Sequence, residues 1–146
     1  MKHLFPVNIL LAIIAIIVLA TAIILETSHG MPTFGLSIYF WLWVHIACSV
    51  LMGVLVFIHL RLNWNRVSSW IERFRKSHSK VTKALFILSF LTFSSGLVAT
   101  ITIFTIGHGP VGSIHGKIGF VFLLICIGHF IKRIKWYKRS LASSKK

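Results

Sequence analysis

Four long apolar stretches are separated by short polar ones, at about residues 7–26, 36–61, 81–106 and 114–134. Each is long enough to cross ~30 Å of hydrocarbon as a helix. The polar breaks have their own character. Glu26–Gly35 and Thr105–Ser113 are short and rich in turn residues, among them Gly30, Pro32, Gly35 and Pro110. From Asn63 to Lys80 the pattern changes. Trp64, Val67, Ile71 and Phe74 recur at helical spacing between Arg66, Arg73, Arg75 and Lys76. This predicts a short amphipathic helix lying in the membrane interface, with Ser69 and Glu72 as a capping box. The fold expected is all-α: a transmembrane four-helix bundle with an interfacial amphipathic helix between helices two and three, forming one domain over 1–146.

The first stretch admits a second reading. Lys2 and His3, the apolar run and Ala20-Thr21-Ala22 have the form of a signal peptide. The run from Val7 to Leu25 is long enough to span, and its removal would take one wall from the bundle. An uncleaved first helix is therefore expected.

Composition agrees with the pattern: the 146 residues are 56% hydrophobic, a membrane profile. The net charge of +14 would point to nucleic acid in a soluble protein. Its placement points elsewhere. Of sixteen Lys and Arg residues, all except Lys117 fall before helix one, between helices two and three, or after the core of helix four. By the positive-inside rule, both termini and the middle segment face the cytoplasm. The basic segments are juxtamembrane, suited to anionic lipids, and form no continuous groove for nucleic acid.

Helices two and four share a histidine ruler. His45 and His59 are fourteen residues apart, and so are His115 and His129. Fourteen residues are two heptads and about 21 Å of helix rise, so each pair returns to nearly one face. A lone intramembrane histidine is more often bonded to a neighbour than to a metal. The repeat of the spacing in two helices favours ligands. Such helices side by side would hold two haems, each between two imidazoles. Both helices run from outside to inside. His45 therefore pairs with His115 at the outer level, and His59 with His129 at the inner level.

Two imidazoles per iron leave no open position, so electron transfer is favoured over oxygen activation. No Cys-x-x-Cys-His is present, so b-type haem without covalent attachment is expected. Arg61, Lys132 and Arg133 are candidate propionate contacts for the inner haem, and Ser113 and Lys117 for the outer one. Any of them can equally be an ordinary interfacial anchor. Gly53, between the histidine levels, would admit a porphyrin or a packed helix. Helix three carries a small-residue surface of Ser89, Ser94, Ser95, Gly96 and Ala99. Cys48 and Cys126 differ by eight residues in depth relative to the histidines, about 12 Å, so no mutual disulfide is expected. Glu26, His29 and His108 are candidates for an outer quinol or partner-docking site. His29 and His108 could instead bind a metal ion or join the haem ligands.

The doubled motif resembles the haem-ligand pattern of the cytochrome b subunits of quinol-oxidising complexes. The small size and four-helix layout resemble the small bacterial flavinylation-associated cytochromes more closely. That resemblance covers nearly the whole chain and rests on the four histidines. It implies a di-haem b protein of the bacterial inner membrane, passing electrons between the quinone pool and an extracytoplasmic flavin-carrying or other redox partner. The chain has no flavin-attachment or nucleotide-binding motif, so a flavin would sit on the partner. The chain departs from the larger proteins in lacking paired glycines in helices one and three. Two alternatives stay open. One is a self-contained quinone-linked oxidoreductase, such as a superoxide oxidase or ferric reductase. The other is a non-redox module whose histidines serve packing or metal-ion binding.

Overall fold

The computed structural model describes residues 4–28, 30–72, 80–107 and 109–143. The fold is all-α, with α1 at Leu4–Thr27, α2 at Ile38–Leu62, α3 at Trp64–Glu72, α4 at Lys80–Thr105 and α5 at Pro110–Ser143. Among the described residues, the only β-type pairing is an isolated bridge between Thr33 and Leu36. Four segments are long and apolar enough to cross a membrane: Phe5–Thr27, Ile38–Leu62, Lys80–Thr105 and Pro110–Lys132. The chain is a multi-pass membrane protein. Helices suit this setting because each satisfies its own backbone hydrogen bonds where no water can.

Side-chain exposure follows the same logic. Ile16, Phe57 and Phe90 are 66%, 67% and 70% exposed. In water that would be a broad aggregation surface, but in lipid it is the expected outer face. Among the described residues the buried apolar set is small: Ile14, Val18, Met52 and Leu55 on α1 and α2, and Ala99, Phe122 and Leu123 on α4 and α5.

The chain divides into two compact units. One is Pro6–Trp64, and the other is Met1–Phe5 with Asn65–Lys146. The first unit holds nearly all of α1 and the whole of α2. Asn8 reaches His59, and Thr21 reaches His45. A residue near the start of α1 therefore meets one near the end of α2, and the reverse holds at the other end, so the two helices run antiparallel. The second unit holds α4 and α5, which pack directly against each other.

Helix boundaries differ from the sequence expectation in explicable ways. The helix expected from residue 36 starts at Ile38, because a tight turn comes first. Phe34 and Gly35 both have positive φ, at 55° and 73°. Thr33 and Leu36 exchange backbone hydrogen bonds of 3.0 and 3.2 Å across them. Ser37 then caps α2, its hydroxyl accepting from the Phe40 N–H at 3.2 Å. The Trp41 indole donates back to the Thr33 carbonyl at 3.1 Å and ties the turn to the helix. At the other end of α2, Asn63 closes the helix, its side-chain amide donating to the His59 carbonyl at 2.9 Å.

The amphipathic helix is present as α3, but it begins at Trp64. Ser69 lies inside it and not at its start, so Ser69 and Glu72 are not the capping box of this helix. The part of this segment at residues 73–79 lies outside the described residues. The helix expected at 114–134 runs from Pro110 to Ser143. Proline is well suited to the first helical position, which brings the start forward. The basic residues after 131 end the apolar run but propagate a helix well. Its 34 residues extend about 51 Å. That is roughly 20 Å more than the hydrocarbon needs.

Candidate functional site

Each unit carries two of the four spaced histidines. His45 and His59 lie on α2, and His115 and His129 on α5. All four are half-buried. The two on α2 are fourteen residues apart, and their side chains both reach α1. The face-sharing expected from two heptads is therefore present in that unit.

Three of the four rings are held at Nδ1 by a polar side chain from a neighbouring helix. The His59 Nδ1 is 2.7 Å from Asn8 Oδ1. The His45 Nδ1 is 3.0 Å from Thr21 Oγ1. The His115 Nδ1 is 3.0 Å from Ser95 Oγ. The direction of these bonds follows from proton accounting. An amide oxygen has no proton to give, so the His59 Nδ1–H is the donor. Thr21 has one hydroxyl proton, directed at the carbonyls of Ile17 and Val18, at 2.9 and 3.0 Å. Ser95 directs its own to the Thr92 carbonyl at 3.1 Å. Both hydroxyl oxygens are then acceptors, and His45 and His115 donate to them. With Nδ1 as the donor, the neutral form of each ring keeps its lone pair on Nε2. That is the form in which imidazole binds a metal, and a hydrogen bond from the other nitrogen is the usual means of orienting it.

His115 has a further constraint. A Cβ built on Gly96 would lie 2.9 Å from its Cε1 and 3.4 Å from its Nδ1. The imidazole rests on the bare backbone of α4, and only glycine at 96 leaves room for the bond to Ser95. Beside it, the buried Oγ1 of Thr92 has no hydrogen-bond partner among the described residues. A buried hydroxyl of this kind calls for a polar partner that the described residues do not supply. Thr21 on α1 is buried at 2% exposure, so the His45 contact is shielded as well.

In their neutral form these hydrogen-bonded imidazoles, set in apolar helices with a glycine cradle under one ring, would be chemically suited to hold a haem iron. Among the described residues, no three His, Cys, Asp or Glu side chains converge as a multidentate metal site would need. Cys48 and Cys126 are free thiols.

The other expected site residues are less constrained. Arg61, Lys117, Lys132 and Ser113 are exposed. Arg133 lies within α5, and its side chain is outside the described set. Glu26 is exposed in the last turn of α1. His29 and His108 lie outside the described residues. Gly53 is half-buried on α2.

Sequence reasoning missed Asn8 and Thr21 and saw Ser95 and Gly96 only as small packing residues. A signal was present for the first two. They interrupt an otherwise apolar span and are thirteen residues apart, nearly the histidine spacing, as expected for a helix antiparallel to α2. No family model matches the chain, and neither does any curated protein or solved structure.

Proposed function

We propose that the chain is a membrane electron-transfer cytochrome b whose axial ligands are His45, His59, His115 and His129, serving two b haems. The observation that supports this best is the set of three hydrogen bonds between histidine Nδ1 atoms and the side-chain oxygens of Asn8, Thr21 and Ser95. A packing histidine needs no fixed tautomer. Here three rings on two helices are each anchored at Nδ1 by a side chain of the neighbouring helix, as an oriented metal-ligating imidazole would be.

When bound, each haem supplies a one-electron carrier, and two carriers at different depths allow transfer through the hydrocarbon. The chain's own residues fix the rings, exclude water and keep the ligands neutral. Apolar helices supply the dry surroundings. In this reading, quinone is the membrane donor or acceptor. An extracytoplasmic redox protein, flavin-carrying or otherwise, is the other partner. The basic residues flanking the spans favour a bacterial inner-membrane topology with both termini in the cytoplasm, close to anionic headgroups. Glu26, exposed near the end of α1, is a carboxylate able to accept a proton released when quinol is oxidised; His29 and His108 are the imidazoles proposed for the same role.

Quinol-driven reduction, followed at the haem α-bands of purified protein, tests the functional assignment. The wild type is expected to be reduced, and Glu26→Gln to be reduced more slowly with unchanged haem content. Haem that quinol does not reduce at all would remove the quinone partner. Equal rates in wild type and Glu26→Gln would remove Glu26 from the site.

A further inference from the structure

We infer that Asn8, Thr21 and Ser95 are positioning residues that set the reduction potential of the iron each histidine ligates, with Asn8 exerting the largest effect. The inference rests on the haem reading above and adds to it a role for residues outside the ligand set.

A hydrogen bond from Nδ1–H draws the ring toward imidazolate character and makes Nε2 a stronger donor to a metal. A stronger donor favours ferric over ferrous iron, so the potential falls. The size of the effect follows the quality of the acceptor. Thr21 and Ser95 offer hydroxyl oxygens at 3.0 Å. Asn8 offers an amide carbonyl oxygen, a better acceptor, at 2.7 Å. Hydrogen bonds strengthen as they shorten in a low-dielectric site. Each acceptor is also locked. Thr21 and Ser95 spend their hydroxyl protons on backbone carbonyls within their own helices. Neither can turn around and donate to the ring without abandoning that bond. The tautomer is therefore dictated by α1 and α4, the helices that carry none of the four ligands.

Two of the three spread control over both histidine levels of α2. Asn8 acts on His59, and Thr21 acts on His45. Single substitutions on α1 should move one haem's potential and leave the other's in place, which a general loosening of the helix would not do.

The experiment is a potentiometric titration of the full-length protein with haem counted in the same sample. Asn8→Leu, Thr21→Val and Ser95→Ala remove an acceptor. Asn8→Asp and Thr21→Ser keep one. The expected result for the first group is a rise in one of the two potentials. At fixed ambient potential, this reads as about a tenfold change in the ratio of reduced to oxidised haem, or ~59 mV for a one-electron couple. Asn8→Leu should shift furthest, Asn8→Asp should shift downward, and Thr21→Ser should match the wild type. Retained haem with unmoved potentials in the first group overturns the inference and leaves the haem assignment standing. A wild-type chain that binds no haem overturns both. Loss of haem in Asn8→Leu with retention in Asn8→Asp supports positioning through an acceptor. Loss in both reduces Asn8 to a packing role and overturns its part.

Discussion

Gly96→Ala is the sharpest structural perturbation available at one ligand. The added methyl would lie 2.9 Å from His115 Cε1 and 3.5 Å from its Nε2. Carbon atoms rest at about 3.5 Å or more, so the ring must retreat by roughly 0.6 Å. Retreat stretches the 3.0 Å bond to Ser95 toward about 3.5 Å, where little of it survives. Overpacking costs about 1–3 kcal/mol, and the lost hydrogen bond about 1 kcal/mol. Removing a helical glycine returns up to ~1 kcal/mol. The net is a loss of about 1–3 kcal/mol, carried by His115. At 1.4 kcal/mol per factor of ten, haem held through that residue should be retained about 5- to 150-fold less tightly. The assay is transfer of haem to an apo-acceptor protein, with thermal unfolding followed in parallel. Gly119→Ala is the control. Its Cβ would meet only Thr92 Cγ2, at 4.0 Å, an ordinary contact. Haem retention and thermal midpoint in Gly96→Ala equal to those of Gly119→Ala would refute the cradle.

Three further outcomes are expected. The pairing expected from the sequence has His45→Ala and His115→Ala each lose the same haem, and His59→Ala and His129→Ala each lose the other; four spectra of the residual haem check this, and four different residual spectra would contradict it. For topology, Met31→Cys and Asn65→Cys, both at exposed positions, should label from opposite sides of the membrane in a background without Cys48 and Cys126; labelling of both from one side would reverse the positive-inside assignment. Trp41→Phe removes the indole bond to Thr33, 3.1 Å long and worth about 1 kcal/mol; the amides of Thr33 and Leu36 should exchange several-fold faster, and unchanged exchange would show that the turn holds without it.

The spans were legible because a membrane helix announces itself in one dimension, by a run of about twenty apolar residues. The ends were less so. Pro110 starts a helix that hydropathy places at 114, and Lys132 onward continues one that hydropathy ends at 134. Hydropathy reports the solvent, whereas helix propensity decides where the backbone stops turning. The histidine ruler was legible for the same reason as the spans, since spacing is a property of the chain alone. The partners were not. Asn8, Thr21 and Ser95 matter because of how α1 faces α2 and how α4 faces α5, and no single helix encodes that rotation. The tautomers depend further on where each hydroxyl proton goes, which only the positions of the Ile17, Val18 and Thr92 carbonyls decide.

The central claim is that four histidines ligate two b haems. The measurement that bears on it most directly is haem per chain by pyridine haemochrome, with a reduced-minus-oxidised spectrum of the same purified protein. The account predicts two b haems per chain, low-spin, with two resolvable components in the redox titration. A chain that purifies folded with no haem, or with one, contradicts it.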